Sequence, residues 1–141
     1  MNKQMKVWLL WVLAIVAMST MGVSGCVPSV YDPDLIGVWR WDHGGGCYEY
    51  DTFTDSGAWA VAYGVSACGD DNGNTNVGTY TVNTSVTPHQ MDIYESGGDQ
   101  KHNLVIYEVS GDTLQAASSV APDPRPTDFT EGEYVELVRL P

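Results

Sequence analysis

Acid–base or metal chemistry in this chain would have to come from its histidines or from close carboxylate pairs. The histidines show neither the H-x-H nor the H-E-x-x-H spacing that brings two imidazoles to one metal; they are His43, His89 and His102. Pairs such as Asp51 with Asp55, or Asp92 with Glu95, arise by chance in so acidic a chain and are expected to face water. The chain also lacks a G-x-S-x-G nucleophile elbow and a Gly-rich phosphate loop. The sequence therefore favours a protein that is not an enzyme and holds no metal or cofactor.

Cys47 and Cys68 are a second candidate pair. Outside the cytoplasm, two thiols in a small domain usually form a disulfide, and closing about 20 residues would contribute on the order of 3 kcal/mol. Two free thiols are the alternative, and a metal site is disfavoured because neither Cys has a second ligand nearby. Residues 69–74 resemble part of a calcium loop, but they lack its flanking acid and its bidentate Glu and are typical of a turn.

Aromatic residues spread along the chain could line a small-molecule pocket, because such pockets combine apolar walls with a few hydroxyls. The candidates are Tyr48, Tyr50, Trp59, Tyr63, Tyr80 and Tyr107. Alternatively, these rings fill the interior of the protein, which would then act as a structural or interaction protein. The first interpretation predicts a binding module for a small apolar or amphipathic molecule.

The elements that position these residues are short β-strands, because period-2 alternation and turn signals recur from residue 35 onward without a helical period. The pattern predicts strands at 35–42, 46–53, 57–63, 77–83, 90–95, 103–109, 113–118 and 133–140. Eight short strands joined by short turns predict an all-β, antiparallel up-and-down barrel, since closure removes exposed strand edges.

Gly37-Val38-Trp39 at the start of the first strand resembles the Gly-x-Trp signature of lipocalins. The resemblance implies a lipocalin-like (calycin-like) barrel in which Gly37 permits a tight bend and Trp39 closes one end beneath Arg139. An ordered series of later segments resembles small bacterial lipocalin-like domains of unassigned function; they are 78–82, 91–93, 106–109, 111–114 and 125–130. The resemblance covers residues 35–141.

Residues 125–130, Arg-Pro-Thr-Asp-Phe-Thr, form a loop before the last predicted strand. One interpretation is a lid or docking loop anchored by Phe129. We prefer the other, in which the loop crosses an end of the barrel, Phe129 packs inside and Arg125 pairs with an acid.

The amino terminus predicts export and lipid anchoring. Two lysines, an apolar run and small residues make residues 1–25 a signal peptide. Val23-Ser24-Gly25-Cys26 resembles the bacterial lipobox, which implies a diacylglycerol on the Cys26 thiol and cleavage before it. A soluble secreted protein is the alternative. Residues 26–34 would be the tether, and Val27 resembles the pattern that favours the outer membrane, facing the periplasm, over the inner membrane.

Charge limits the partners of the mature chain. Residues 26–141 carry four of the six basic residues and all eighteen acids, a formal charge of −14. This charge disfavours nucleic acid and flat adsorption on anionic lipid, so contact with the bilayer is expected to rest on acylated Cys26. The expectation is a single lipocalin-like domain anchored in a bacterial cell envelope.

Overall fold

Eight antiparallel strands follow one another in the chain and close into a barrel. The computed structural model describes residues 31–64, 68, 75–97 and 100–141. The strands are β1 (Gly37–Gly44), β2 (Cys47–Phe53), β3 (Ala58–Tyr63), β4 (Thr75–Asn83), β5 (His89–Ser96), β6 (His102–Ser110), β7 (Thr113–Val120) and β8 (Glu133–Arg139). Each strand pairs with the next, and β8 pairs back onto β1 with Arg139 opposite Trp39. The predicted up-and-down barrel is therefore confirmed, and it is consistent with a lipocalin-like barrel.

Residues that precede the first strand also pack into the barrel, where the sequence predicts an extended tether. The amide of Leu35 donates to the carbonyl of Asp32 at 3.0 Å, which makes a turn before β1 begins at Gly37. Leu35 is fully buried, and Asp32 is only 6% exposed. Residues 32–34, predicted to belong to an extended tether, are thus built into one end of the barrel. Residues 1–30, with the predicted signal peptide and lipobox, lie outside the described residues.

Alternate residues of every strand face the barrel interior, as the two-residue period requires. Trp59 and Val61 of β3 are buried, as are Tyr80 and Val82 of β4. The same alternation places Met91, Ile93, Val105, Leu114, Ala116 and Leu137 in the core. The predicted core faces of these strands are confirmed.

The segment between β7 and β8 lies against the outside of the barrel. Arg125 donates to the carbonyls of Met91 and Val105 at 2.7 and 2.6 Å, and its guanidinium pairs with Asp92 at 2.7 Å. Pro126 is buried as well. This contact explains why the strand β6 is apolar on both faces, because its outer side is covered here.

The prediction for Phe129 is wrong, whereas the pairing of Arg125 with an acid is confirmed. Phe129 is partly buried and packs edge-to-face on Tyr134, with ring centroids 6.2 Å apart, and it does not enter the interior. The covered residues of the outer face are Ile106 and Ala117, which pair across β6 and β7 and are both almost fully buried. The segment therefore covers a side of the barrel rather than an end.

A disulfide joins Cys47, the first residue of β2, to Cys68 in the connection between β3 and β4. The predicted pairing is confirmed. Residues 69–74, the calcium-loop candidate, lie outside the described part of the chain. Within the described part, no helix has the length and apolar character to cross a bilayer.

Candidate functional site

The interior of the barrel is divided into a filled end and an end that contains a cavity. We call them the closed end, where the chain enters through Asp32–Leu35, and the cavity end, which lies opposite. At the closed end Phe53 and Tyr80 meet edge-to-face with ring centroids 5.2 Å apart, and the Tyr80 hydroxyl donates to the carbonyl of Thr54 at 2.6 Å. These side chains pack against each other at the closed end, and the cavity that could hold a ligand extends from Phe53 toward the other end.

Trp39 and Arg139 seal the closed end. The indole Nε1 of Trp39 donates to the carbonyl of Leu35 at 2.7 Å, and the Arg139 guanidinium lies over the ring at 4.2 Å from its centroid. Arg139 also donates to the carbonyl of Ile36 at 2.6 Å. Gly37 has a φ of +140°, and a Cβ there would lie 3.0 Å from Nη1 of Arg139, so a side chain is disfavoured on both counts. This is the arrangement that the Gly-x-Trp resemblance implies.

A buried carboxylate, Asp32, completes the closed end. The hydroxyl of Tyr107 donates to its Oδ2 at 2.8 Å, and Nδ1 of His89 lies 3.4 Å from the same oxygen. Burial, and then the hydrogen bond to Asp32, raise the pKa of Tyr107 far above its ordinary value. The tyrosine therefore stays a neutral donor, and this polar cluster holds the entering chain in place.

A cavity of about 350 Å³ occupies the other end of the barrel. Its floor is apolar and buried; it includes Phe53, Trp59, Val61, Ile93, Val105 and Leu114. Polar side chains follow toward the end of the barrel; among them are Glu49, Asp51, Glu95, Lys101, Asn103 and Glu133. An apolar floor with a few polar groups is the usual composition of a small-molecule site, and this volume lies near the lower end of the usual range.

One side of the cavity combines carboxylates with aromatic rings. Strands β1 to β3 contribute this side, which we call the acid–aromatic wall; it consists of Trp41, His43, Glu49, Asp51, Trp59 and Tyr63. The indole of Trp59 donates to Oδ1 of Asp51 at 2.9 Å, and Nε2 of His43 lies 3.1 Å from Oε2 of Glu49. The ring of Trp41 lies 3.8 Å from that of His43. The wall therefore holds carboxylates and aromatic rings along the same side of the cavity, with Asp51 hydrogen-bonded to the N–H edge of the Trp59 indole.

Asp51 is the most perturbed acid of this wall. Burial first, and then the negative charge of the neighbouring Glu49, raise its pKa from 3.8 to about 7, against the hydrogen bond from Trp59. The two carboxyls stand two residues apart on one strand, so both point to the same face. Such a pair holds a proton near neutral pH, because two adjacent carboxylates repel each other.

The opposite side of the cavity carries further charges. Asn103 donates to Oε1 of Glu95 at 2.9 Å, which fixes that carboxylate between β5 and β6. Glu133 on β8 and Lys101, just before β6, also line the cavity. Among the described lining residues, four carboxylates thus stand against one lysine.

The six aromatic residues predicted to line a pocket are distributed over three places. Trp59 and Tyr63 line the cavity. Tyr80 and Tyr107 belong to the closed end. The remaining two, Tyr48 and Tyr50, belong to β2.

Tyr48 and Tyr50 do not line the cavity, because they alternate with Glu49 and Asp51, which do. The Arg40 guanidinium lies 4.9 Å from the centroid of the Tyr48 ring on the outer face. The expectation that Asp51 faces water is wrong, because Asp51 lines the cavity.

The sequence contained a signal for this arrangement. Phe53 lies two and four residues from Asp51 and Glu49 on the same strand, so the three side chains share a face, and Phe53 is in the core.

In the described part of the chain, no group of three or more His, Cys, Asp or Glu side chains could hold a metal ion. Comparison with protein-family models, with curated proteins and with solved structures finds no match to this chain.

Proposed function

We propose that the protein is a lipid-anchored lipoprotein of a bacterial cell envelope whose barrel binds a small apolar or amphipathic molecule. The observation that carries the binding role is the cavity of about 350 Å³ with its buried apolar floor and polar upper part. A barrel that acted only as a structural or interaction protein would gain stability by filling this space, since cavities reduce stability. No enzymatic step is proposed.

The position of the cavity agrees with anchoring through Cys26. The chain enters the barrel at the closed end, where Asp32 and Leu35 are buried. A tether that begins at Cys26 would hold this end nearest the membrane. The cavity end would then point away from the bilayer, which suits a protein that takes its ligand from the aqueous compartment.

Native mass spectrometry tests the binding role. The Cys26→Ala chain, purified after export and without detergent, is expected to carry a stoichiometric extra mass that is lost on denaturation. Ala116 lines the cavity and is 7% exposed, so Ala116→Trp should fill the space and remove the extra mass. Ala58→Trp makes the same change at an exposed position and should keep it. An extra mass retained by both variants would contradict binding in the cavity.

The anchor is tested separately by growing cells with a clickable palmitate analogue. The wild-type protein is expected to carry the label and to fractionate with membranes, and Cys26→Ala is expected to lose both properties. Val27→Ala, which changes the neighbouring residue and keeps the thiol, is the matched control and should remain labelled. Equal labelling of Cys26→Ala and wild type would refute acylation at Cys26.

A further inference from the structure

The charge of the cavity bears on which ligand it accepts. Four carboxylates and one lysine line it among the described residues, and the residues from 26 onward carry a formal charge of −14. Negative charge inside a cavity with apolar walls focuses the electrostatic potential there and opposes the entry of anions. The wall is therefore matched to a ligand of positive charge.

The acid–aromatic wall also has the side-chain types that attract a cation. A cation near an indole or phenol face is attracted by the ring quadrupole, by about 0.5–2 kcal/mol depending on desolvation. The rings of Trp41, Trp59 and Tyr63 line the same cavity as Glu49 and Asp51. One positively charged group could thus meet both a carboxylate and a ring.

We propose that the cavity selects an organic cation, an ammonium or guanidinium group on an apolar body. The charged group lies at the acid–aromatic wall between Glu49 and Asp51, and the body lies on the floor formed by residues such as Ile93 and Val105. The inference rests on the proposed function, because it names the ligand class of the same cavity. Fatty acids, whose carboxylate would face this wall, are excluded as preferred ligands.

The adjacent carboxyls supply the reason for selectivity. Glu49 and Asp51 interact directly, and the pKa of Asp51 is raised first by burial and then by Glu49. Without a ligand a proton relieves their repulsion, and a bound cation would replace that proton. His43 from β1 contacts Glu49, and Trp59 from β3 contacts Asp51. The other polar or titratable groups that line the cavity with this pair include Tyr63 from β3, Glu95 and Lys101, and Glu133 from β8.

Proton release gives the binding a pH dependence with a defined sign. A ligand of permanent charge should bind more tightly as the pH rises, because Asp51 loses its proton near pH 7. Between pH 6 and pH 8 the affinity should increase up to about tenfold and then level off.

The test uses three probes with one eight-carbon chain: octyltrimethylammonium, octanol and octanoate. Calorimetric titration of the Cys26→Ala chain is expected to give the tightest binding for the cation, about tenfold tighter than octanol. Octanoate should bind the weakest. Glu49→Gln and Asp51→Asn should reduce the preference for the cation and leave octanol binding unchanged. Glu108→Gln, which removes an exposed carboxylate outside the cavity, should change neither.

The outcomes separate the two proposals. Octanol or octanoate binding as tightly as the cation would overturn the selectivity and leave the binding role standing. No binding of any of the three probes would overturn both. The pH profile of octyltrimethylammonium binding needs no variant, so an affinity that does not rise between pH 6 and pH 8 counts against the inference even if Asp51→Asn fails to fold.

Discussion

Replacing Asp51 by asparagine should change how the stability of the protein depends on pH. Burial and Glu49 raise the pKa of Asp51 from 3.8 to about 7 in the folded protein. Between these two values the folded protein keeps a proton that the unfolded chain releases, so the free energy of unfolding falls as the pH rises. The contribution of Asp51 is fully present below about pH 4 and is lost as the pH passes 7.

The magnitude follows from the pKa difference. About three pKa units at about 1.4 kcal/mol each correspond to roughly 4 kcal/mol. This is an upper bound, because Asp51 is only partly buried and water stabilises its ionised form, so we expect about 2 kcal/mol. Asparagine is neutral at every pH, and its amide oxygen can still accept the hydrogen bond from Trp59.

The assay is urea unfolding, followed by tryptophan fluorescence, at intervals from pH 4 to pH 8. The free energy of unfolding of Asp51→Asn minus that of the wild type should become more positive by about 2 kcal/mol across this range. The difference removes the titration of the other acids, which both proteins share. Glu108→Gln, at an exposed position, should give a constant difference. A constant difference for Asp51→Asn as well would refute a partly buried carboxyl of raised pKa in the cavity wall.

Three further changes test the frame that holds the cavity. Cys47→Ser with Cys68→Ser should lower the free energy of unfolding by about 3 kcal/mol in urea, and reductant should bring the wild type to the same value; a reductant-insensitive wild type would contradict the disulfide. Gly78→Ala would place a Cβ 2.2 Å from a carbonyl oxygen of β5 and should cost about 3 kcal/mol in thermal unfolding. Gly64→Ala, whose Cβ would have nothing nearer than 3.5 Å, should be close to neutral, and equal losses at both sites would argue against this strand register. Arg139→Lys removes the planar group that stacks on the Trp39 indole, together with its hydrogen bonds to carbonyls. It should lower the free energy of unfolding by about 1–3 kcal/mol and change the near-ultraviolet circular dichroism. An unchanged spectrum and stability would count against the closed end as described.

The barrel could be predicted from the sequence because each strand alternates and each turn is marked. In β3, Trp59 and Val61 alternate with alanines, and both are buried as the period requires. Predicted and observed strand ends differ by no more than two residues. Local signals decide such features, and the closure of the sheet follows from the need to remove its edges.

The candidate site could be predicted only in part, because alternation defines two faces without saying which one is inside. In β2 one face carries Tyr48 and Tyr50, which the sequence analysis predicts to line a pocket, and the other face carries Glu49 and Asp51. The usual preference of acids for water favoured the tyrosines as the inner residues. The upper part of the cavity is polar, so the preference fails there. Phe53 is an apolar residue of β2 on the same face as Glu49 and Asp51, so it was a sign that these acids point inward, and its burial shows that they do.

The prediction that residues 125–130 cross an end of the barrel was wrong because the sequence did not show which surface of the barrel this segment covers. Its pairing with an acid follows from composition, but its partners are carbonyls of β5 and β6 together with Asp92. The buried Ile106 and Ala117 show the outer face that it covers. A strand that is apolar on both faces, as β6 is, was the available sign that something covers its outside.

The central claim, that the cavity end of the barrel binds a small molecule, is tested most directly by the indole signals in a proton–nitrogen correlation spectrum. Residues 26–141 contain three tryptophans, of which Trp41 and Trp59 line the cavity and Trp39 seals the closed end. Titration with the tightest-binding member of the octyl series should move the Trp59 signal most and the Trp41 signal next, and should leave that of Trp39 in place. A shift confined to Trp39, or no indole shift at saturation, would contradict the account.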